Sequence, residues 1–134
     1  MTVFQRAKRM HPTILIVDDD PGTIKVLGNI LRDVGKLRVA TNGEDALRMA
    51  REAVPDLILL DAEMPDLTGF QVCETLQADR ELADVPVIFV TSHGEAAFEV
   101  AGLGMDFIAK PFNAALVLSR VKRHLGTAQV ADGS

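Results

Sequence analysis

Three short apolar runs, "TILIV" at 13–17, "DLILL" at 56–60 and "VPVIFV" at 85–90, constrain this chain more than any other feature. Each is apolar at successive positions rather than alternate ones, so each predicts a strand covered on both faces, as in the middle of a parallel sheet. Two weaker runs, "LRVA" at 37–40 and "DFIA" at 106–109, predict two more strands. Between them the period becomes helical: Ile24, Leu27, Leu31 and Val34 form one stripe, and Ala114, Val117, Leu118, Val121 and Leu125 another. The punctuation agrees. Asp20 before Pro21 predicts an N-cap with a first-turn proline, Asn42, Thr68 and Asn113 are placed to cap the second, third and fifth helices, and Gly35 to close the first. Strands and helices alternating over short connections predict a right-handed α/β fold: a flavodoxin-like, doubly wound, five-stranded parallel sheet of order 2-1-3-4-5 with five helices.

The chain has 134 residues, of which 48% are hydrophobic, enough for one globular domain with a real core. It divides into a basic arm (1–12, with Arg6, Lys8 and Arg9), the folded domain (13–126) and a small, polar, flexible tail (127–134). A net charge of -5 and the lack of Trp and Tyr argue against a nucleic-acid surface in this chain. Cys73 is the sole cysteine, which excludes an internal disulfide and predicts a buried thiol in a reducing compartment. No apolar run approaches the ~18 residues of a membrane span, and the first ten residues lack the apolar stretch of a signal peptide. The expected setting is the cytoplasm, with no membrane partner.

Ligands of such sheets bind beyond the carboxyl ends of the strands, so the residues after each apolar run point at the site. After the first run come Asp18, Asp19 and Asp20; after the third, Asp61; after the fourth, Thr91 and Ser92; after the fifth, Lys110 and Pro111. A single acid after a strand is ordinary loop polarity, but this combination at four strand ends is not. Crowded carboxylates need a cation, and an all-oxygen set that leaves room for water and phosphate suits Mg²⁺. Beside it, Asp61 is the candidate nucleophile toward a phosphoryl group and Lys110 the candidate counter-ion, giving an acyl phosphate. Asp20 is assigned to the helix cap and left out of the metal site.

The acidic pair Asp18–Asp19, the segment "DAEMPDLTG" from Asp61, Thr91 followed by a small residue, and "KPF" at 110–112 occur in this order from about Thr13 to Leu125. In this the chain resembles a receiver domain of the two-component response regulators. The resemblance implies that Asp61 accepts phosphate from a sensor histidine kinase or phosphotransfer protein, in a signalling domain that assists its own phosphorylation and dephosphorylation rather than a conventional enzyme. It implies that Asp19 and Asp61 bind Mg²⁺ directly, that Asp18 acts largely through water, and that the Glu63 main-chain carbonyl completes the protein ligands. Lys110 would pair with the phosphate, Thr91 would move to hydrogen-bond it, and Phe107 would fill the aromatic switch position. The Lys110–Pro111 bond would be cis. Glu63 and His93 stand where the family tunes phosphoryl lifetime.

The signal would reach a downstream output protein or domain, and a homodimer, through the face around the last two strands. There "HGEAAFEVAGLG" leaves only 94–102 for the fourth helix. The stretch from Gly102 to Leu125 looks more like receivers joined to cyclic-di-nucleotide enzymes or hybrid kinases than to winged-helix domains. A phosphate-independent pseudo-receiver, a pure protein-interaction module, is the alternative. A haloacid-dehalogenase-type phosphatase fails because Gly22 stands where its motif needs Thr or Val, and a flavodoxin lacks here its phosphate loop and flavin-stacking aromatics. His11 and His124 are expected to be solvated. Leu116, Arg120 and Arg123 lie off the last helix's buried stripe, as a solvated face or a partner surface.

Overall fold

The computed structural model describes residues 11–92 and 105–125. Five strands, β1 (Thr13–Val17), β2 (Lys36–Ala40), β3 (Leu57–Leu60), β4 (Val87–Thr91) and β5 (Asp106–Ala109), form one sheet of order β2-β1-β3-β4-β5. All neighbours pair in parallel. The described helices are α1 (Pro21–Leu31), α2 (Gly43–Glu52), α3 (Gly69–Ala78) and α4 (Ala114–Leu125). The expected helix at 94–102 lies outside the described residues, with His93, residues 1–10 and residues 126–134.

Successive strand residues face opposite sides of the sheet, and both sides are covered, which is why the strands read as unbroken apolar runs. Leu15, Val17, Ile58, Leu60, Val87 and Phe89 meet Ala46, Leu47 and Ala50 of α2 and Val72, Cys73 and Leu76 of α3. Ile14, Ile16, Leu57, Leu59, Ile88, Val90 and Ile108 meet Leu27 and Leu31 of α1 and Val117 and Val121 of α4. Each large aliphatic side chain so buried contributes roughly 1.5–3 kcal/mol toward the folded state. Phe70 of α3 stacks on Phe89 of β4, with centroids 5.1 Å apart.

The helix starts follow the local chemistry. The Asp20 side chain accepts from the Gly22 amide at 3.1 Å and the Thr23 hydroxyl at 2.9 Å. Asn42 accepts from the Asp45 amide at 2.8 Å, and Asn113 from the Leu116 amide at 2.8 Å. Thr68 and Gln71 form a reciprocal capping box at the head of α3. α1 ends at Leu31, and the Gly35 amide donates to the Leu31 carbonyl at 3.4 Å, so Gly35 does stand at the close of the helix. A Cβ at Gly35 would stand 2.2 Å from the Pro12 carbonyl oxygen, so glycine is needed where the turn into β2 passes under Pro12. Arg38 of β2 reaches the C-terminus of α2, donating to the Ala53 carbonyl at 2.9 Å and the Met49 carbonyl at 3.0 Å. Gly28 is different: inside α1, with nothing within 4 Å of where its Cβ would lie. Gly28→Ala is expected to stabilise the protein by about 1 kcal/mol, read as a higher urea midpoint, because it removes unfolded-state freedom without a clash.

Two expectations for the last helix change. His124 is not simply solvated, and Arg120 does not belong to a plain solvated face. The Arg120 guanidinium contacts the Asp106 carboxylate and donates to the Phe107 carbonyl at 3.0 Å, while His124 Nε2 lies 3.0 Å from Asp106 Oδ2. The physical reason is topological: β5 is the edge strand, and its first residue stands beside the solvent-facing rim of α4. Burial pushes the Asp106 carboxyl up, but the His124 hydrogen bond, the Arg120 charge and the Phe107 amide together hold it below the usual carboxylate range.

Candidate functional site

Strand register builds the site. Val17 pairs with Leu60, Leu60 with Phe89, and Thr91 with Ala109, so Asp18, Asp61, Thr91 and Lys110 emerge at one edge of the sheet. The backbone holds them there: the Asp18 amide donates to the Ala40 carbonyl at 3.1 Å, the Asp61 amide to the Val17 carbonyl at 2.9 Å, and the Lys110 amide to the Thr91 carbonyl at 2.9 Å. Among the described residues, the buried polar or charged side chains are Asp18 (1% exposed), Asp61 (8%) and Thr91 (1%). Burying such groups is costly unless something compensates, so their concentration at this rim makes it the candidate functional site.

Part of the compensation is internal. Lys110 Nζ lies 3.0 Å from Asp18 Oδ2 and 4.0 Å from Asp61 Oδ2. Asp18 Oδ1 accepts from the Asp20 amide at 2.9 Å, and Asp61 Oδ1 from the Glu63 amide at 3.2 Å. One lysine does not neutralise three acids. Burial, opposed by the Glu63 amide and Lys110 but reinforced by Asp18 and Asp19, pushes the Asp61 carboxyl up to about 6. Asp18, Asp19 and Asp61 each offer a carboxylate oxygen within 4.8 Å of the others. Three hard anionic donors at that spacing, with a raised carboxyl among them, fit a small divalent cation such as Mg²⁺.

A cleft of about 330 Å³ opens over these groups, lined by Asp19, Asp61, Glu63, Met64, Pro65, Ser92 and Lys110. Glu63 is exposed on its wall, and Asp20 serves as the α1 cap. The Lys110–Pro111 peptide is cis, as the resemblance implied. Phe107 is half-buried, pairs in register with Phe89 and packs on the core layer of α2 and α3. Strand alternation puts Thr91 on that same face, two residues beyond Phe89. His93 lies outside the described residues.

The loop from Asp61 to Thr68 holds what sequence reading missed. Gly69 donates to the Ala62 carbonyl at 2.8 Å, and a Cβ there would stand 2.3 Å from the Asp61 carbonyl oxygen. Asp66 reaches back to α2: Oδ1 accepts from the Gly43 amide at 2.8 Å and Oδ2 from the Glu44 amide at 3.0 Å. These partners lie 23 and 22 residues upstream, so no local pattern announces them.

The family model of the response regulator receiver domain matches residues 14–122. The chain belongs to the response regulator receiver domain family. Among its relatives, the DNA-binding response regulator MtrA of Mycolicibacterium smegmatis is 37% identical over 120 residues, 87% of this chain and 51% of that protein. A probable transcriptional regulator, ycf27, of Guillardia theta is 35% identical over 113 residues, 81% of this chain and 43% of that protein. The receiver domain thus spans about half the length of these curated relatives. Among solved structures, the receiver domain of a sensor histidine kinase from Pseudomonas aeruginosa PAO1, with a magnesium ion coordinated in its active site cleft, superposes with a TM-score of 0.80 at 29% identity, covering 87% of this chain and 99% of that one. DNA-binding regulators and a histidine kinase therefore both carry receiver domains like this one. Among the described residues no helix is long and apolar enough to cross a membrane.

Proposed function

We propose that this receiver domain accepts a phosphoryl group on Asp61 from a sensor histidine kinase or phosphotransfer protein in the cytoplasm, and that the modification switches a partner-binding surface through Thr91 and Phe107. The observation that carries the reading is the convergence of three carboxylates within 4.8 Å with a lysine 4.0 Å from the buried one. Asp19, Asp61 and the Glu63 carbonyl would hold Mg²⁺, with Asp18 acting through water. When bound, the ion would neutralise charge on the transferring phosphoryl oxygens.

The chain's own groups supply the rest. Above its pKa of about 6 the Asp61 carboxyl is ionised, and a lone pair on its oxygen attacks phosphorus in line. The new O–P bond forms as the P–N bond of the phosphohistidine breaks, its electron pair leaving with the imidazole nitrogen. Lys110, now on Asp18 at 3.0 Å, can move its ammonium to a phosphoryl oxygen. The phosphoryl group carries roughly -1.5 to -2 charges at neutral pH in place of the single charge of the ionised Asp61 carboxylate, with strong acceptor oxygens that can draw in the Thr91 hydroxyl at the end of β4. That movement frees space on the sheet face that Thr91 shares with Phe107, and the ring can follow it.

A downstream output protein or domain, and a homodimer, would read the altered face of β5 and α4. The tuning roles of Glu63 and His93 belong to the same reading. A phosphate-independent interaction module is less well supported, since it would have no use for three acids at the cost of burying Asp18 and Asp61. With Mg²⁺ and either acetyl phosphate or phosphoramidate, intact mass spectrometry should show a gain of one phosphoryl group that base removes and that a chelator prevents. No gain with either donor in excess would sink the reading.

A further inference from the structure

The loop that carries Asp61 and Glu63 is anchored at its ends, by β3 on one side and by Gly69 on the other. Its middle is held differently. Asp66 spends both carboxylate oxygens on the amides of Gly43 and Glu44, the first two of α2, at 2.8 and 3.0 Å. Helix amides at this end have no partner within the helix and carry the positive end of its dipole, so a carboxylate is the acceptor that suits them. The two bonds hold the Asp66 carboxyl below the usual carboxylate range, that to Gly43 most. The next residue seals the contact: a Cβ at Gly43 would meet the Leu67 Cβ at 2.7 Å, so α2 begins with glycine where the loop is pressed onto it. The helix has its own cap besides, since Asn42 accepts from the Asp45 amide at 2.8 Å. Asp66 therefore fastens the loop to the helix rather than merely starting the helix.

We propose that Asp66 is a positioning residue: by bridging to the Gly43 and Glu44 amides it sets the path of the loop, and with it the presentation of Asp61 and the Glu63 carbonyl to the metal and the phosphoryl donor. This rests on the phosphoacceptor reading of the site. Met64 and Pro65, directly before Asp66, line the cleft, so loosening residue 66 moves a wall of the site as well as its floor.

Asp66→Ala, Asp66→Asn and Asn42→Ala separate this role from simple helix capping, because the Asn42 side chain caps the same helix through hydrogen bonds to Asp45, within the helix itself. Two measurements apply: the Mg²⁺ concentration giving half-maximal labelling by acetyl phosphate, and hydrogen exchange of metal-free protein at Glu63 to Leu67. Asp66→Ala should raise the Mg²⁺ requirement roughly tenfold, the lower end of what losing an outer support costs a metal site, and should deprotect the loop amides. Asp66→Asn keeps one acceptor oxygen and should fall between. Asn42→Ala should leave both readouts near wild type. Equal effects from Asn42→Ala and Asp66→Ala, or unchanged loop protection in Asp66→Ala, would overturn the proposal. Failure of the wild-type protein to label would instead refute the phosphoacceptor reading, and the exchange comparison would still decide whether Asp66 holds the loop.

Discussion

Gly69→Ala is expected to destabilise the protein by about 3 kcal/mol or more, at the upper end of what overpacking costs. The added methyl would stand 2.3 Å from the Asp61 carbonyl oxygen, 2.9 Å from the Ala62 Cα and 3.1 Å from the Asp61 carbonyl carbon, all backbone atoms that no rotamer change can move. The turn would have to open, breaking the 2.8 Å bond from the Gly69 amide to the Ala62 carbonyl and shifting the peptide that carries Asp61. Gly43→Ala is the internal comparison. Its clash is with the Leu67 Cβ at 2.7 Å, which only a shift of the Leu67 backbone relieves, and with the Val72 Cγ2 at 3.0 Å, which a rotamer change can relieve; no backbone atom stands as close as the Asp61 carbonyl oxygen does to Gly69. Urea unfolding should show the larger fall in midpoint for Gly69→Ala, with little change in slope, and its phosphoryl labelling should fall too. An unchanged midpoint would mean that the Asp61–Gly69 turn is not as tight as its geometry requires.

The same contrast between local and distant contacts explains what the sequence revealed. The strands were legible because burial on both faces leaves unbroken apolar runs; the run at 85–90 overshot only because Val85 is buried in a turn, its amide bonded to the Leu82 carbonyl, before β4 begins at Val87. Caps at Asp20, Asn42, Thr68 and Asn113 were legible because the amides they serve lie within three residues. Asp18, Asp61, Thr91 and Lys110 could be brought together because a parallel sheet delivers the ends of its strands to one rim. The rest depends on side chains meeting across the fold. Arg38 finds carbonyls 11 and 15 residues away, Asp66 finds amides 22 and 23 away, and Arg120 and His124 find Asp106 across the sheet edge. Gly35 read as a helix stop because glycine often ends helices, and its amide does reach the Leu31 carbonyl, but what requires glycine there is the Pro12 carbonyl 2.2 Å from its missing Cβ, a contact across the fold.

Asp61→Asn should abolish phosphoryl labelling and, in the metal-free protein at neutral pH, make the fold more stable. The loss follows from chemistry, since an amide cannot supply the anionic oxygen that attacks phosphorus. The gain follows from linkage. Asp61 has a carboxyl at about 6 in the folded protein against an ordinary 3.8, so between these values the folded state holds a proton that the unfolded state has released. Stability from this group therefore falls as pH rises through roughly 4 to 6, by about 3 kcal/mol for a shift of two units. Asp20, Asp66 and Asp106, held below their ordinary values, act in the opposite sense but only as pH falls below about 4, so the two effects occupy separate windows. Thermal melts of metal-free protein should then show wild type losing stability from pH 4 to 6 relative to Asp61→Asn, with the variant ahead at pH 7. Parallel pH profiles would show that Asp61 is not held protonated by its surroundings. Added Mg²⁺ should reverse the order at pH 7, because a ligand that binds only the folded state stabilises it in proportion to the logarithm of its concentration over its Kd, and the variant has lost one of the anions that bind it. On the phosphoacceptor reading, the carboxylate that destabilises the empty fold would thus be the one that makes the fold responsive to metal and phosphate.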